Sequence, residues 1–434
     1  MAMNRRSALK WGLSACSSAW ACGQAPQALA LTSPGKSTQE VLQALVNDPQ
    51  RPVTGVAIRL RVAQKTLISA QAGWAHLGAA HPRDSAPLVA DSLFRIASIS
   101  KVAVALIQAR LHEAGKLNWD ADLSGLLNHP KFEKVPITPR LLLTHRSGLR
   151  DSDTWPQFHA QGLADVLKLT ATWSEHPPGA KFAYCNLGFV VLATAMERAC
   201  GERFDAIAKR WLFDPLRMKA RFHPSGLDAH SKAHLATLYR MRQGQWVAQV
   251  DAREGPWTTV PDIEPGLNAA AFSPQGGLRI GMEDLMSLGQ CLWDRGRWDG
   301  QSLISEATMQ EMFRPQWQWS PLSDEDTDDG LFRSWGLGLQ RFTDQRDAKG
   351  GDRLHRLGGW QAVGHLGLAY GLYSGMLVQP RREGHPGWSL AYAISGTSVP
   401  ESQARGQHSS FTVWEETLLG TMLDRLIDEG IART

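Results

Sequence analysis

The sequence predicts a mixed α/β (α+β) fold: an antiparallel sheet flanked by helices, built from both ends of the chain, with a mostly helical domain inserted between them. Strand-like text occurs near the start and again near the end of the 434 residues. Helical patches broken by Pro- and Gly-containing loops fill the middle. Composition bounds the rest: with 43% apolar and 20% charged residues, the chain can bury a large core and is too apolar for wholesale disorder.

In order along the chain, residues 53–62 and 66–74 alternate apolar and polar side chains across a short polar turn, which reads as a hairpin. A helix is expected from near Ser98 to about Gly115, with Val102, Ala105, Leu106, Ala109 and Leu111 as its apolar face. From about residue 119 to 332 the text turns helical, notably at 189–200 and 282–293. Strand-like text returns at 335–342, 365–368, 372–378 and 390–395. A last amphipathic helix, 412–427, carries the stripe Leu418, Leu419, Met422, Leu423, Leu426 and Ile427. The expected division is therefore an α/β domain of 31–118 plus 333–434 and a mainly helical insertion of 119–332. Within the latter, the acidic stretch 320–330 lacks the Gly and Glu spacing of an EF-hand loop and reads as a solvated loop.

Residues 1–30 carry Arg5, Arg6 and Lys10, then a small-residue apolar stretch, then Ala28-Leu29-Ala30, the layout of a secretory signal cleaved after Ala30. The paired arginines point to the twin-arginine route. Leu13-Ser14-Ala15-Cys16 has the outline of a lipoprotein box and leaves lipidation of Cys16 open. Gly12, Gly23 and Pro26 interrupt the segment too often for a membrane span, and no later run is long enough. The mature chain is expected to be periplasmic or secreted, with no stable span. Without the leader's three cations, 43 of the 46 basic residues remain against 42 acidic ones. A near-neutral body has no electrostatic footprint for nucleic acid. Cys185, Cys200 and Cys291 form neither a disulfide framework nor a Cys-x-x-Cys zinc site. No Gly-rich phosphate loop follows a strand, so no cofactor is expected. His230 and His234 are spaced for a metal, but lack a neighbouring Glu and an evident third ligand.

Three short motifs carry chemistry. Ser98-Ile99-Ser100-Lys101 places a hydroxyl and an amine on one face of a helix start, where a desolvated lysine could act as a base for a serine nucleophile. Ser7/Lys10 and Ser33/Lys36 repeat that spacing, so it proves little alone. Tyr184-Cys185-Asn186 is the one Tyr-x-Asn among five tyrosines, and a phenol beside an ammonium can relay protons. His365-Leu366-Gly367 precedes an apolar strand, although His76 and His385 also begin a His-x-Gly.

The order of the three motifs decides between these readings. With Leu142–Leu149 (Leu-Leu-Thr-His-Arg-Ser-Gly-Leu), Gly276-Gly277-Leu278 and Trp335-Gly336-Leu337-Gly338, the chain resembles the serine β-lactamase-like family over roughly residues 50–400. That family includes class C β-lactamases, penicillin-binding D,D-peptidases and related esterases, and the resemblance implies a β-lactamase/transpeptidase-like fold. It also implies Ser98 as acylated nucleophile, Lys101 as its proton acceptor and Tyr184 as base or relay. Asn186 would position substrate or Lys101, and the 365–367 strand would wall the cleft. The backbone N–H groups of Ser98 and Leu368 would form the oxyanion hole. Many β-lactamases of this type have Lys-Thr-Gly where this chain has His365-Leu366-Gly367, which weakens recognition of a substrate carboxylate. The implied function is a serine hydrolase acting on a small ester, amide or D-peptide. The alternatives are a non-hydrolytic penicillin- or peptidoglycan-peptide-binding envelope protein and a true class C β-lactamase. Trp155, Trp173, Trp257 and Trp360 are candidates to line an apolar pocket.

Overall fold

The computed structural model describes residues 36–78, 82–151, 162–249, 263–348 and 350–433. The leader with Cys16, and Trp155 and Trp257, lie outside them. Helix α1 (Thr38–Val46) opens on a capping box in which Ser37 and Glu40 satisfy each other's backbone N–H groups. There follow β1 (Val53–Val62), β2 (Lys65–His76), α2 (Ser100–Glu113), α3 (Leu187–Cys200) and α4 (Met282–Trp293), then β3 (Ala362–Ala369), β4 (Leu372–Gln379), β5 (Trp388–Thr397) and α5 (Val413–Asp428).

The central sheet runs β3-β4-β5-β1-β2, each pair antiparallel. Both ends of the chain build it, because Val53 lies opposite Thr397 and Val62 opposite Trp388. The period-2 alternation decides its two faces. Val56, Ile58, Leu60, Leu390, Tyr392 and Ile394 pack with α1 and α5 in one core. Ala57, Ala391 and Ala393 point the other way, into a second core shared with α2, α3 and α4. Those alanines are small enough to let α4 lie on the sheet, where its Glu283 pairs with buried Arg59 at 3.0 Å. Helix α5 starts at a capping box of Thr412 and Glu415 and buries Leu418, Leu419, Met422, Leu423 and Leu426, each contributing about 1.5–3 kcal/mol. Ile427, expected in that stripe, is only half-buried.

The structure departs from the sequence reading in several places. The strand expected at 335–342 is two short ones, Ser334–Trp335 and Gln340–Phe342, paired across a tight turn. Gly338 sits in that turn at φ +69°, a left-handed conformation glycine adopts without penalty. Three pieces of the 119–332 stretch lie on the sheet: α4, the edge strand Trp317–Gln318, and the hairpin of Tyr239–Arg242 and Gln245–Ala248 beside Thr397. Helix α2 is buried on nearly every side rather than on one face, including Gln108, whose amide donates to the Leu117 carbonyl at 2.7 Å.

Trp360 is a core residue packed on Trp388, and Trp173 packs edge-on against Phe132 with its N–H bonded to the Leu167 carbonyl. The acidic stretch is more than a solvated loop. Asp324 pairs with Lys181 at 2.7 Å, and Glu325 accepts from the Phe182 N–H at 2.6 Å and the Trp317 indole at 3.0 Å. Cys185, Cys200 and Cys291 are free thiols. Among the described residues no helix is long and apolar enough to cross a membrane.

Candidate active site

Ser98 lies in a short 3-10 turn, Ala97–Ile99, immediately before α2, half-buried between fully buried neighbours. Ala97 takes φ +53°, which costs an L-residue roughly 1–2 kcal/mol. The surroundings over-determine it. Ser100 Oγ donates to the Ala97 carbonyl at 2.6 Å and accepts from the Leu278 N–H at 3.0 Å. From the sheet, Ser374 Oγ donates to the Ile96 carbonyl at 3.0 Å. Gly367 of β3 lies directly against this turn, for an added Cβ would collide with Ser374 Oγ and sit 2.5 Å from the Ile96 oxygen. Leu368, next along β3, is half-buried and pairs with Tyr373.

Lys101 is wholly buried in the first turn of α2. Its Nζ lies 3.0 Å from Ser98 Oγ, 2.8 Å from Asn186 Oδ1 and 2.7 Å from the Gln275 carbonyl. Burial is the largest influence on its acidity, opposed by the charge of Asp151, and the pKa is pulled down to about 7. Asn186 Oδ1 and the Gln275 carbonyl can only accept. A neutral amine thus spends both hydrogens on them and turns its lone pair toward Ser98, poised to take the hydroxyl proton. With the neutral amine as the base, any hydrolysis at this site should rise with pH through a midpoint near 7 and fall away below it as Lys101 gains a proton. A pH profile of kcat/KM checks this, and a profile flat through that region would contradict it.

Tyr184 reaches the site from the segment before α3, with Lys101 Nζ 5.0 Å from its ring centre. Its ring is clamped: His145 stacks on it at 4.3 Å, Phe332 at 5.3 Å, and Trp335 meets it edge-on at 6.0 Å. His365 of β3 approaches the same ring at 6.1 Å between centroids. It is 2% exposed, with Nδ1 2.6 Å from the Leu366 carbonyl. The predicted set is thus gathered around Ser98 and Lys101. His230 and His234 lie with their rings tilted against each other, 4.2 Å between centroids, well along the chain from these motifs, His230 facing Asp91. No group of three or more His, Cys, Asp or Glu that could hold a metal ion occurs among the described residues.

Residues the sequence did not single out complete the arrangement. His145 Nδ1 accepts from the Cys185 N–H at 3.0 Å, and burial, reinforced by Lys101, holds its pKa well below the ordinary histidine value. Asp151, 2% exposed, accepts from the backbone N–H groups of Asn186 and Leu187 and from Asn186 Nδ2. Burial raises its pKa, opposed by those hydrogen bonds. The Gln275 contribution is a backbone carbonyl, which no side-chain motif could announce.

A serine hydroxyl 3.0 Å from a buried amine, beside an antiparallel strand, is an arrangement that suits nucleophilic acyl transfer. Residues 38–408 match the family model described as Beta-lactamase, and the chain belongs to that family. It is 27% identical over 205 residues to Penicillin-binding protein 4* of Bacillus subtilis (strain 168), covering 42% of this chain and 45% of that protein. It is 29% identical over 144 residues to the D-alanyl-D-alanine-carboxypeptidase/endopeptidase AmpH of Escherichia coli (strain K12), covering 30% and 36%. These matches span less than half the length of either relative. The fold is similar to that of a D-amino acid amidase from Ochrobactrum anthropi SV3, with TM-score 0.60 at 20% identity over 90% of this chain and 99% of that one.

Proposed function

We propose that the chain is a serine hydrolase that cleaves a small ester or amide through an acyl-enzyme, after export to the periplasm or beyond. Ser98 Oγ attacks the carbonyl while Lys101 Nζ takes its proton. Tyr184 relays that proton from Lys101 to the leaving group; water then attacks the acyl-enzyme, its proton returning through the same groups to Ser98 Oγ as the acyl group leaves. The Ser98 and Leu368 N–H groups hold the oxyanion. The observation that carries this reading is the buried Lys101 amine, fixed on one side by Asn186 and Gln275 and 3.0 Å from Ser98 Oγ on the other. The amidase and penicillin-binding relatives support the reaction class.

His365 and Leu366 shape the substrate preference. His365 is buried against Tyr184 and Trp335 and faces its own backbone through Nδ1, so it is poorly placed to meet a carboxylate from solvent. Leu366 is buried in the apolar core and brings no hydroxyl. An ester or amide with an apolar acyl or leaving portion suits this wall better than a β-lactam carboxylate. Hydrolysis of a p-nitrophenyl ester and of a D-phenylalanine amide, set beside nitrocefin, tests it. The expected result is a higher kcat/KM for the ester or amide; nitrocefin equal to or above both would overturn the preference. A stoichiometric adduct with no turnover on any of the three would instead favour the non-hydrolytic binding protein.

A further inference from the structure

We propose that Asp151 is a positioning residue of this site: its carboxylate fixes which way the Asn186 amide faces, and therefore which of its atoms meets Lys101. The inference rests on the serine-hydrolase reading above and adds to it a residue that touches neither Ser98 nor substrate.

An asparagine amide has two nearly isosteric ends of opposite character, an acceptor oxygen and a donor NH2. At Asn186 the choice is forced. Nδ2 donates to Asp151 Oδ2 at 2.8 Å, so Oδ1 is left to accept from Lys101 at 2.8 Å. Turned over, the amide would aim its NH2 at the lysine's hydrogens and its oxygen at a carboxylate, two repulsive contacts in a buried place. Asp151 also grips the backbone beneath. The Asn186 N–H lies 2.9 Å from Oδ1, and the Leu187 N–H lies 2.9 Å from the same oxygen. Asn186 offers no side-chain cap of its own, so Asp151 supplies the acceptor at the start of α3. One buried carboxylate thereby ties the Tyr184–Asn186 segment, the start of α3 and the Lys101 amine into a single rigid unit.

The charge has a second consequence. The titratable groups around Lys101, besides Asp151, are Cys185, Tyr184 and His145, with His365 beyond Tyr184. Burial holds Cys185 as a thiol and His145 as a neutral ring, so neither supplies a counter-charge. Asp151 is the group that supports a proton on Lys101 against desolvation.

The experiment uses Asp151→Asn, which keeps the shape and removes the charge, and Asp151→Glu, which keeps the charge. Fluorophosphonate labelling, read by intact mass, and kcat/KM are followed against pH. In D151N the acidic limb should move to lower pH by roughly one unit, the low end of the effect of a neighbouring opposite charge. Its kcat should fall roughly tenfold or more, a share of what a positioned base contributes, with KM unchanged. D151E should return the limb toward its wild-type position. A residue that served only folding would lower the melting temperature and leave the limb in place, and that result overturns the proposal. Should D151N fail to fold, Asn186→Leu cuts the side-chain link while leaving both backbone bonds to Asp151; an unmoved limb there overturns it equally. Failure of the underlying reading looks different, because wild type itself would then carry no adduct on Ser98.

Discussion

Ser98→Ala should abolish the fluorophosphonate adduct on the intact protein and lower kcat/KM by at least about a thousandfold, the scale on which serine hydrolases lose rate without their nucleophile. The substitution removes one oxygen from a half-buried position and leaves the turn's own bonds, through Ser100, Leu278 and Ser374, in place. The variant should therefore fold with an unchanged melting temperature. That pairing is what gives the result its meaning: lost labelling with retained stability locates the nucleophile. An adduct surviving in the variant would move it to another side chain.

Gly367→Val should be nearly as damaging, although it touches no reacting atom. The added branches would run into Ser374 Oγ and the Ile96 carbonyl, and an added Cβ alone lies 3.2 Å from Ala97 Cβ. Strand β3 must retreat from the 96–98 turn, carrying the Leu368 N–H with it. With the Leu368 N–H in its proposed oxyanion role, losing that donor would cost about 10²–10³ in kcat, so a fall of about a hundredfold or more is expected, with far-ultraviolet circular dichroism preserved. Normal turnover in a folded G367V would show that β3 does not form the oxyanion wall.

How far the sequence reached depended on what kind of signal each feature leaves. Strands β1, β2 and β5 are legible because one face is bulky and the other small or polar, an alternation that survives in the text, whereas β4 is legible as a short apolar run buried on both faces. The 334–342 region misled because its strand-forming residues flank Gly336 and Gly338, and whether glycine there marks a turn or a close approach is decided by the neighbours. Helix α4 is legible with its ends, but its packing on the sheet is not, since an amphipathic stripe looks the same whether it packs on a sheet or on other helices. In the site, Ser98 and Lys101 stood out through spacing and order. Asp151 left no such trace, being a single carboxylate whose importance comes from a fold that carries it to Asn186, 35 positions along. The tryptophans show the opposite case. Trp360 is conspicuous in the text and an ordinary core residue, and Trp173 packs partly buried against the core, while the rings that clamp Tyr184 include Phe332 and His145, which composition does not distinguish.

The pairing of Val53 with Thr397 sets a timetable for the newborn chain. A ribosome adding about 5–20 residues per second needs on the order of tens of seconds to make β5 after β1 has emerged. Through that interval the first hairpin has no neighbour on its inner edge, and the apolar side chains of Val56, Ile58 and Leu60 have no α5 to cover them. The most aggregation-exposed stage of this protein's life therefore falls during synthesis. Sequence changes in β5 should accordingly reduce the yield of soluble protein more than they reduce the activity of the molecules that finish folding.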